Sequence, residues 1–417
     1  MSITRRAALG ALAMPFVARA AHAAPARVVV IGGGFGGASA ARALKAFDPL
    51  LSVTLVEANP SYIACPFSNE VIAGLRPMEA QRFDLQGVAR AGVTVIQATA
   101  TSVDPAARKV TLEGQNPLDY DRLVLSPGVD LNYAGLPGYS EAAAERMPHA
   151  WKAGPQTLLL RAQLEAMPDG GVVVMSAPAN PYRCPPGPYE RASLIAYYLK
   201  TKKPRSKLIL LDAKDVFSKQ KLFQQAWAAL YPGLLEWVSL SDGGKVNSVD
   251  PADMTLTTDF NVQKADVANV IPPQRAGAIA ALAGVADRTG WCPIDPVTFE
   301  SKLQPNIHVI GDAAIAGAMP KSAFAANAQA KTCAVAVIRA LSGRPPVEPR
   351  LMNTCYSLVA PEYGISVAGV YRPVAGVLTD IEGAGGTSPL DASPRIRGLE
   401  AGYGEAWYKA ITAEAFG

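Results

Sequence analysis

The sequence predicts an α/β protein with two parallel-sheet domains and a small antiparallel α+β region at its C-terminus. Three observations predict it. Arg27 to Glu57 reads as strand, glycine-rich turn, helix and strand. A second α/β unit opens on the apolar run Gly170 to Ser176, and Asn306 to Ala314 supplies a later strand ending in Gly-Asp before helical sequence. The length of 417 residues exceeds one ordinary core. Both α/β units are expected to be Rossmann-like.

Within the first unit, Gly32, Gly34 and Gly37 fall in the G-x-G-x-x-G spacing. The first allows the tight turn, the second lets a pyrophosphate approach the backbone, and the third packs the helix on the sheet. The helix then presents free N–H groups to phosphate. Glu57, twenty positions after Gly37, ends the second strand where a carboxylate accepts hydrogen bonds from a ribose 2′-OH. The alternative is a glycine turn in an ordinary α/β unit, but strand, helix and terminal acid together make this a dinucleotide site.

An apolar content of 49% with 18% charge describes a globular chain. Residues 1–23 carry Arg5-Arg6, a mild Ala/Leu run and the ending Ala21-His22-Ala23, the parts of an export signal. The paired arginines favour the twin-arginine route, which exports folded, cofactor-loaded proteins to the periplasm. Without Arg5, Arg6 and Arg19 the 39 basic residues fall to 36, against 35 acidic, which gives no reason to expect nucleic acid. The signal is too short and weakly apolar for a transmembrane segment, and His22, His149 and His308 are too few to suggest a histidine metal cluster.

Strands are expected at 93–97, 109–112 and Tyr120 to Leu125, the last ending in Ser126-Pro127-Gly128. In the second unit, the turn after the strand carries prolines at 178, 181, 185, 186 and 188 in place of a glycine fingerprint. Prolines remove N–H donors, so this loop is poorly made for a pyrophosphate and argues against NAD(P)H. A helix (Tyr189 to Lys200), a strand (Leu208 to Asp212) and a helix near Gln220 to Tyr231 follow. Gly311-Asp312 then returns to the first site, its aspartate suited to a ribityl chain and the next helix N-terminus to an isoalloxazine edge. FAD is therefore the expected cofactor. The expected division is 1–23 signal, 24–137 first part of the FAD-binding domain, 138–276 second Rossmann-like domain, 277–345 second part of the FAD domain, and 346–417 C-terminal active-site or interface region.

Among five cysteines, Cys65 follows the first βαβ unit, Cys184 sits in the proline-rich loop and Cys355 begins the C-terminal region. In an oxidising compartment a disulfide persists, and an odd count leaves at least one cysteine otherwise committed. Cys333 lies mid-helix among alanines and Cys292 in TGWCPID, both suited to packing. The chain has no C-x-x-C-H haem attachment motif.

The blocks GGGFGG, CPFSNEVI, CPPGPYERASLIAYYLK, HVIGDA with PKSAFAANAQAK, and NTCYSL closely resemble the flavoprotein subunit of flavocytochrome c sulfide dehydrogenase, a relative of sulfide:quinone oxidoreductases and disulfide reductases. The resemblance covers essentially the whole mature chain. It implies that Cys65 bonds to the flavin 8α-methyl group, against the alternative of a small buried hydrophobe, and that Cys184 and Cys355 form a redox-active disulfide, against Cys333 as the rival partner of Cys184. It matches Glu190 to an active-site carboxylate, against a solvated acid favouring a helix dipole. Lys321 is placed to put positive charge near flavin N1/C2, against a surface lysine in a turn. The implied activity is oxidation of sulfide with electrons passing to a c-type cytochrome, whose haem must belong to another polypeptide. Two alternatives stay open: a quinone reductase held peripherally on a membrane, and an accessory flavoprotein of a sulfur-oxidation system.

Overall fold

The computed structural model describes residues 24–417, so the export-signal expectation lies outside the described residues. Strand β1 (Arg27–Ile31) is apolar and buried along all but its first residue, as a central parallel strand must be. It feeds α1 (Phe35–Phe47), and β2 (Ser52–Glu57) returns parallel to it with Val30 opposite Leu55. The short helix α2 (Ser68–Ala73) follows. Strands β3 (Thr94–Gln97) and β4 (Arg122–Leu125) extend the sheet on its two sides. The expected strand at 109–112 is present, but it pairs with Ala100–Asp104 and Leu118–Asp119 in a separate antiparallel sheet. Its alternating burial marks one wet face.

The second unit contains β5 (Val172–Ala177), α3 (Gly187–Lys202), β6 (Lys207–Asp212), α4 (Gln220–Leu230), β7 (Leu235–Val238) and β8 (Val267–Val270). Its strands are all parallel in the order β7-β6-β5-β8. The chain then crosses back as β9 (Ile307–Val309), which pairs beside β4 to complete the first sheet as β9-β4-β1-β2-β3.

Helix α5 (Ala323–Leu341) does not follow Gly311-Asp312 directly, as the sequence suggested. A single 3-10 turn, a short strand and a loop intervene, and Ser322 caps the helix with Oγ accepting from Ala325 N at 3.0 Å. The alanines of α5 let it lie close against α1, where Asn327 Nδ2 donates to Ser39 Oγ at 2.9 Å.

At the C-terminus the short apolar runs become two long strands, β10 (Leu351–Ala360) and β11 (Tyr363–Val374), antiparallel with Cys355 opposite Val367 and extended by β12 (Val377–Asp380). The following α6 (Pro394–Phe416) is long, 23 residues, and packs back on the first domain. Phe416 stacks on Tyr62 and Phe83 with centroids 5.3 and 5.0 Å away, and Tyr408 Oη donates to Gln81 at 3.0 Å. Among the described residues no helix is long and apolar enough to cross a membrane.

Candidate functional site

A cavity of about 560 Å³ runs from the glycine turn to the C-terminal sheet, with walls from both α/β units and from β10 and α6. Its phosphate end is built from absent side chains. Gly32 has φ +100°, and a Cβ there would sit 2.3 Å from the Ser126 carbonyl oxygen. A Cβ on Gly37 would meet the Gly32 carbonyl oxygen at 1.8 Å, so that residue sets how closely helix meets strand. Gly34 is the α1 N-cap and lines the cavity beside Gly33 and Phe35, leaving the first-turn N–H groups of α1 for a ligand. Gly37→Ala is expected to cost about 3 kcal/mol or more and to empty the protein of flavin, read by melting temperature and bound-flavin absorbance. Retention of both at wild-type values contradicts the close-packing argument.

Glu57 lines the same end. Its Oε2 accepts from Gly33 N at 2.6 Å, while Oε1 accepts from Asn59 N and Nδ2, both at 2.9 Å. A carboxylate offers about four acceptor positions, so hydroxyl contacts remain open to it.

Beside the glycine turn, where Gly36 and Gly311 both face Ser126 and Ala326, Gly311 N donates to Gln329 Oε1 at 2.8 Å and presents Asp312 to the cavity. Asp312 Oδ1 is buried without a hydrogen-bond partner. Burial pushes this carboxyl above its usual range, while Arg183 and Lys321 draw it back. An orphaned acceptor costs free energy unless a ligand hydroxyl meets it, and a ribityl chain carries such hydroxyls. The glycine turn, Glu57 and this acceptor therefore fit an extended dinucleotide.

Cys65 lines the cavity just before α2, its thiol 3.9 Å from the Trp151 carbonyl oxygen. Cys184 and Cys355 line the same cavity, and all five cysteines carry free thiols. Cys184 is held at φ 58°, a left-handed conformation uncommon for a side-chain-bearing residue. Its N–H donates to the Lys321 carbonyl at 2.8 Å and its carbonyl accepts from Gly187 N at 2.8 Å. Glycine at 187 is required, because a Cβ there would lie 2.7 Å from the Trp151 ring and 3.0 Å from Cys184 Sγ. Cys355 Sγ accepts from Asn353 Nδ2 at 3.3 Å. Burial raises the pKa of both thiols; Glu190 adds to the rise at Cys184, and Lys219 offsets it at Cys355. Cys333 and Cys292 are fully buried in the core of the first domain.

Glu190, in the first turn of α3, is enclosed rather than solvated. Asn69 Nδ2 donates to its Oε2 at 2.7 Å and Leu358 N to its Oε1 at 2.9 Å, tying α2, α3 and β10 together beside both cysteines. Burial raises its pKa above the usual glutamate range. Lys321 is brought close but turned aside: its ammonium donates to the Asp312 and Ala314 carbonyls at 2.7 and 2.8 Å and lies 4.0 Å over the Trp291 ring. Burial lowers it to about 8.

Two arginines of the cavity wall escaped the sequence reading. Arg191 is 2% exposed and donates to Asn69 Oδ1, Asn269 Oδ1 and the His149 and Ala150 carbonyls. Arg183 reaches the Trp151 carbonyl near Cys65 and Asp312. The available signal was their position, each flanking a nominated residue in the proline-rich block. In the second unit, Asp212 at the end of β6 is spent on protein partners, accepting from Lys214 Nζ at 2.5 Å, Tyr189 Oη at 2.7 Å and Trp237 Nε1 at 3.1 Å.

Three family models match the chain. Residues 26–158 match pyridine nucleotide-disulphide oxidoreductase, 157–272 match sulfide dehydrogenase (flavocytochrome c) flavoprotein chain, central, and 347–416 match flavocytochrome c sulphide dehydrogenase, flavin-binding. A stretch of 45 residues is 62% identical to the sulfide dehydrogenase (flavocytochrome c) flavoprotein chain of Chlorobaculum thiosulfatiphilum, covering 11% of this chain and 94% of that one. Over 304 residues the chain is 24% identical to the mitochondrial sulfide:quinone oxidoreductase of Mus musculus, covering 68% of this chain and 65%, just under two thirds, of the relative. The solved sulfide:quinone oxidoreductase of Aquifex aeolicus superposes with a TM-score of 0.75 at 18% identity, covering 93% of this chain and 92% of that one. That likeness shows the fold, two Rossmann-like domains with an α+β C-terminal region.

Proposed function

We propose, since the chain belongs to the family of flavocytochrome c sulfide dehydrogenase flavoprotein chains, that it is an exported FAD enzyme that oxidises sulfide and delivers electrons to a c-type cytochrome subunit. In this reading residues 24–137 and 277–345 form the FAD-binding domain, and 346–417 complete its active site. The observation that carries it is one cavity lined by the dinucleotide glycines, Cys65, Cys184, Glu190 and Cys355.

FAD, when bound, supplies a two-electron acceptor that can hand electrons on singly. Gly32, Gly34, Glu57 and Asp312 hold it, Gly37 fixes the helix behind the phosphates, and Cys65 is the proposed covalent link. Cys184 and Cys355, joined as a disulfide, receive hydrosulfide: its sulfur bonds to one cysteine, the cysteine–cysteine bond breaks, and the other cysteine leaves as thiolate. Glu190, near both and raised in pKa by burial, takes the proton that HS⁻ brings once its sulfur is bound, or that of the thiol. Lys321 steadies the Asp312 loop through its two carbonyl contacts and keeps positive charge on that side of the site.

Anaerobic stopped-flow mixing with sulfide tests the donor, and the expected result is bleaching of the flavin band. Subsequent addition of a c-type cytochrome should restore it; restoration by decylubiquinone instead selects the membrane quinone reductase, and absence of bleaching removes sulfide as donor.

A further inference from the structure

The charges around the two cysteines are unevenly placed. Lys219 stands at the start of α4 with φ 62° and is 8% exposed. Its side chain reaches from the second domain to the C-terminal sheet. There the ammonium donates to the Cys355 carbonyl at 3.0 Å, Ser357 Oγ at 2.7 Å and the Ile365 carbonyl at 3.4 Å. All three acceptors are neutral, so the hydrogen bonds are satisfied while the charge is not. The ionisable groups facing it are Cys355 on β10, Glu190 on α3, Cys184 in the loop before α3 and Glu400 on α6. Burial lowers the ammonium to about 8, and Cys355 is the largest influence opposing that fall. Conversely, Lys219 is the foremost cation acting on each of the two thiols.

We propose that Lys219 is a positioning residue for the cysteine pair: it anchors the Cys355 backbone and supplies the positive charge that holds the thiolate released when the pair opens. The pairing of the cysteines and the identity of the attacking nucleophile rest on the reading above; the action of the lysine on the Cys355 thiol does not. When hydrosulfide opens the pair, its single negative charge ends on a cysteine sulfur, and one S–S bond is exchanged for another. That charge arrives in a buried site already holding Glu190, where an unpaired anion is costly. A cation within a few ångströms lowers a thiol pKa, and its removal raises it by about 1–3 units.

The test is peptide-resolved iodoacetamide alkylation of the reduced holoprotein between about pH 7 and 11, a range that extends above ordinary thiol ionisation because burial raises this thiol, with the alkylation rate at fixed pH compared wherever half-alkylation lies beyond it. Lys219→Gln, which keeps a hydrogen-bond donor but no charge, should move half-alkylation of Cys355 up by about one unit or more. Lys219→Arg should leave it at or below the wild-type value. A Lys219→Gln profile that superimposes on wild type overturns the proposal, as does an Arg variant that rises as far as the Gln variant. If the Gln variant loses FAD or its melting transition, the Arg variant decides alone, and an upward shift there contradicts the role. Alkylation needs no sulfide, so a shifted Gln profile in a protein whose flavin ignores sulfide removes the substrate and keeps the lysine.

Discussion

Replacing either Cys184 or Cys355 by serine is expected to reduce sulfide-dependent bleaching of the flavin by about 10³-fold or more, the scale on which deleting a covalent nucleophile acts. Binding of FAD should survive, because the groups proposed to hold it stand in the turn after β1, at the end of β2 and in the Gly311 turn, and neither substitution alters them. A serine hydroxyl closely replaces a thiol in volume but forms no disulfide, so nothing remains for a sulfur nucleophile to exchange with. Dithionite should still bleach both variants. Wild-type rates with sulfide in either variant would remove the disulfide step, and loss of FAD from both would turn the two cysteines into packing residues.

Cys65→Ser is expected to convert a flavin that stays with denatured, precipitated protein into one recovered almost wholly in the supernatant. The thiol stands at the cavity wall before α2, with the Trp151 carbonyl its nearest acceptor, so it is free to be spent on a bond. Non-covalent FAD is held only while the fold persists, whereas a thioether survives unfolding, which makes the contrast nearly all-or-none. Release of flavin from wild-type protein by the same precipitation disproves the link. The native Cys65→Ser protein should still carry FAD, since the glycine turn, Glu57 and Asp312 are untouched.

Local sequence made the dinucleotide end of the cavity legible. Gly32, Gly37 and Glu57 fall within a few dozen residues of one another and their spacing states their roles, although the neighbour that requires glycine at 32, Ser126, lies far along the chain. The cysteine end was not legible in that way. Cys184 and Cys355 share a cavity only because α3, the α5 cap and β10 converge, and no periodicity in either neighbourhood announces that. Resemblance, not spacing, paired them. Lys219 and Arg191 were missed for a related reason: a charged residue just before a helix or on one reads as exposed, and only the tertiary fold turns these two inward. The strand at 109–112 was found but assigned no partner, because period-two alternation gives a face without naming a sheet. Helix α6 buries Gly404, Tyr408, Ile411 and Ala415 at helical spacing, a periodicity that gives a face without naming the first domain as its partner.

The wall of the cavity includes Gly32 from the first strand–helix turn and Trp407 from the last helix. Contacts so distant in sequence close late, because the loop entropy is spent before the contact repays it. During synthesis the glycine turn and β1 leave the ribosome long before α6 exists, so an early flavin would meet an open trough. Enclosure of the cofactor in this architecture therefore waits on α6, which docks on the first domain through Tyr408 and Phe416.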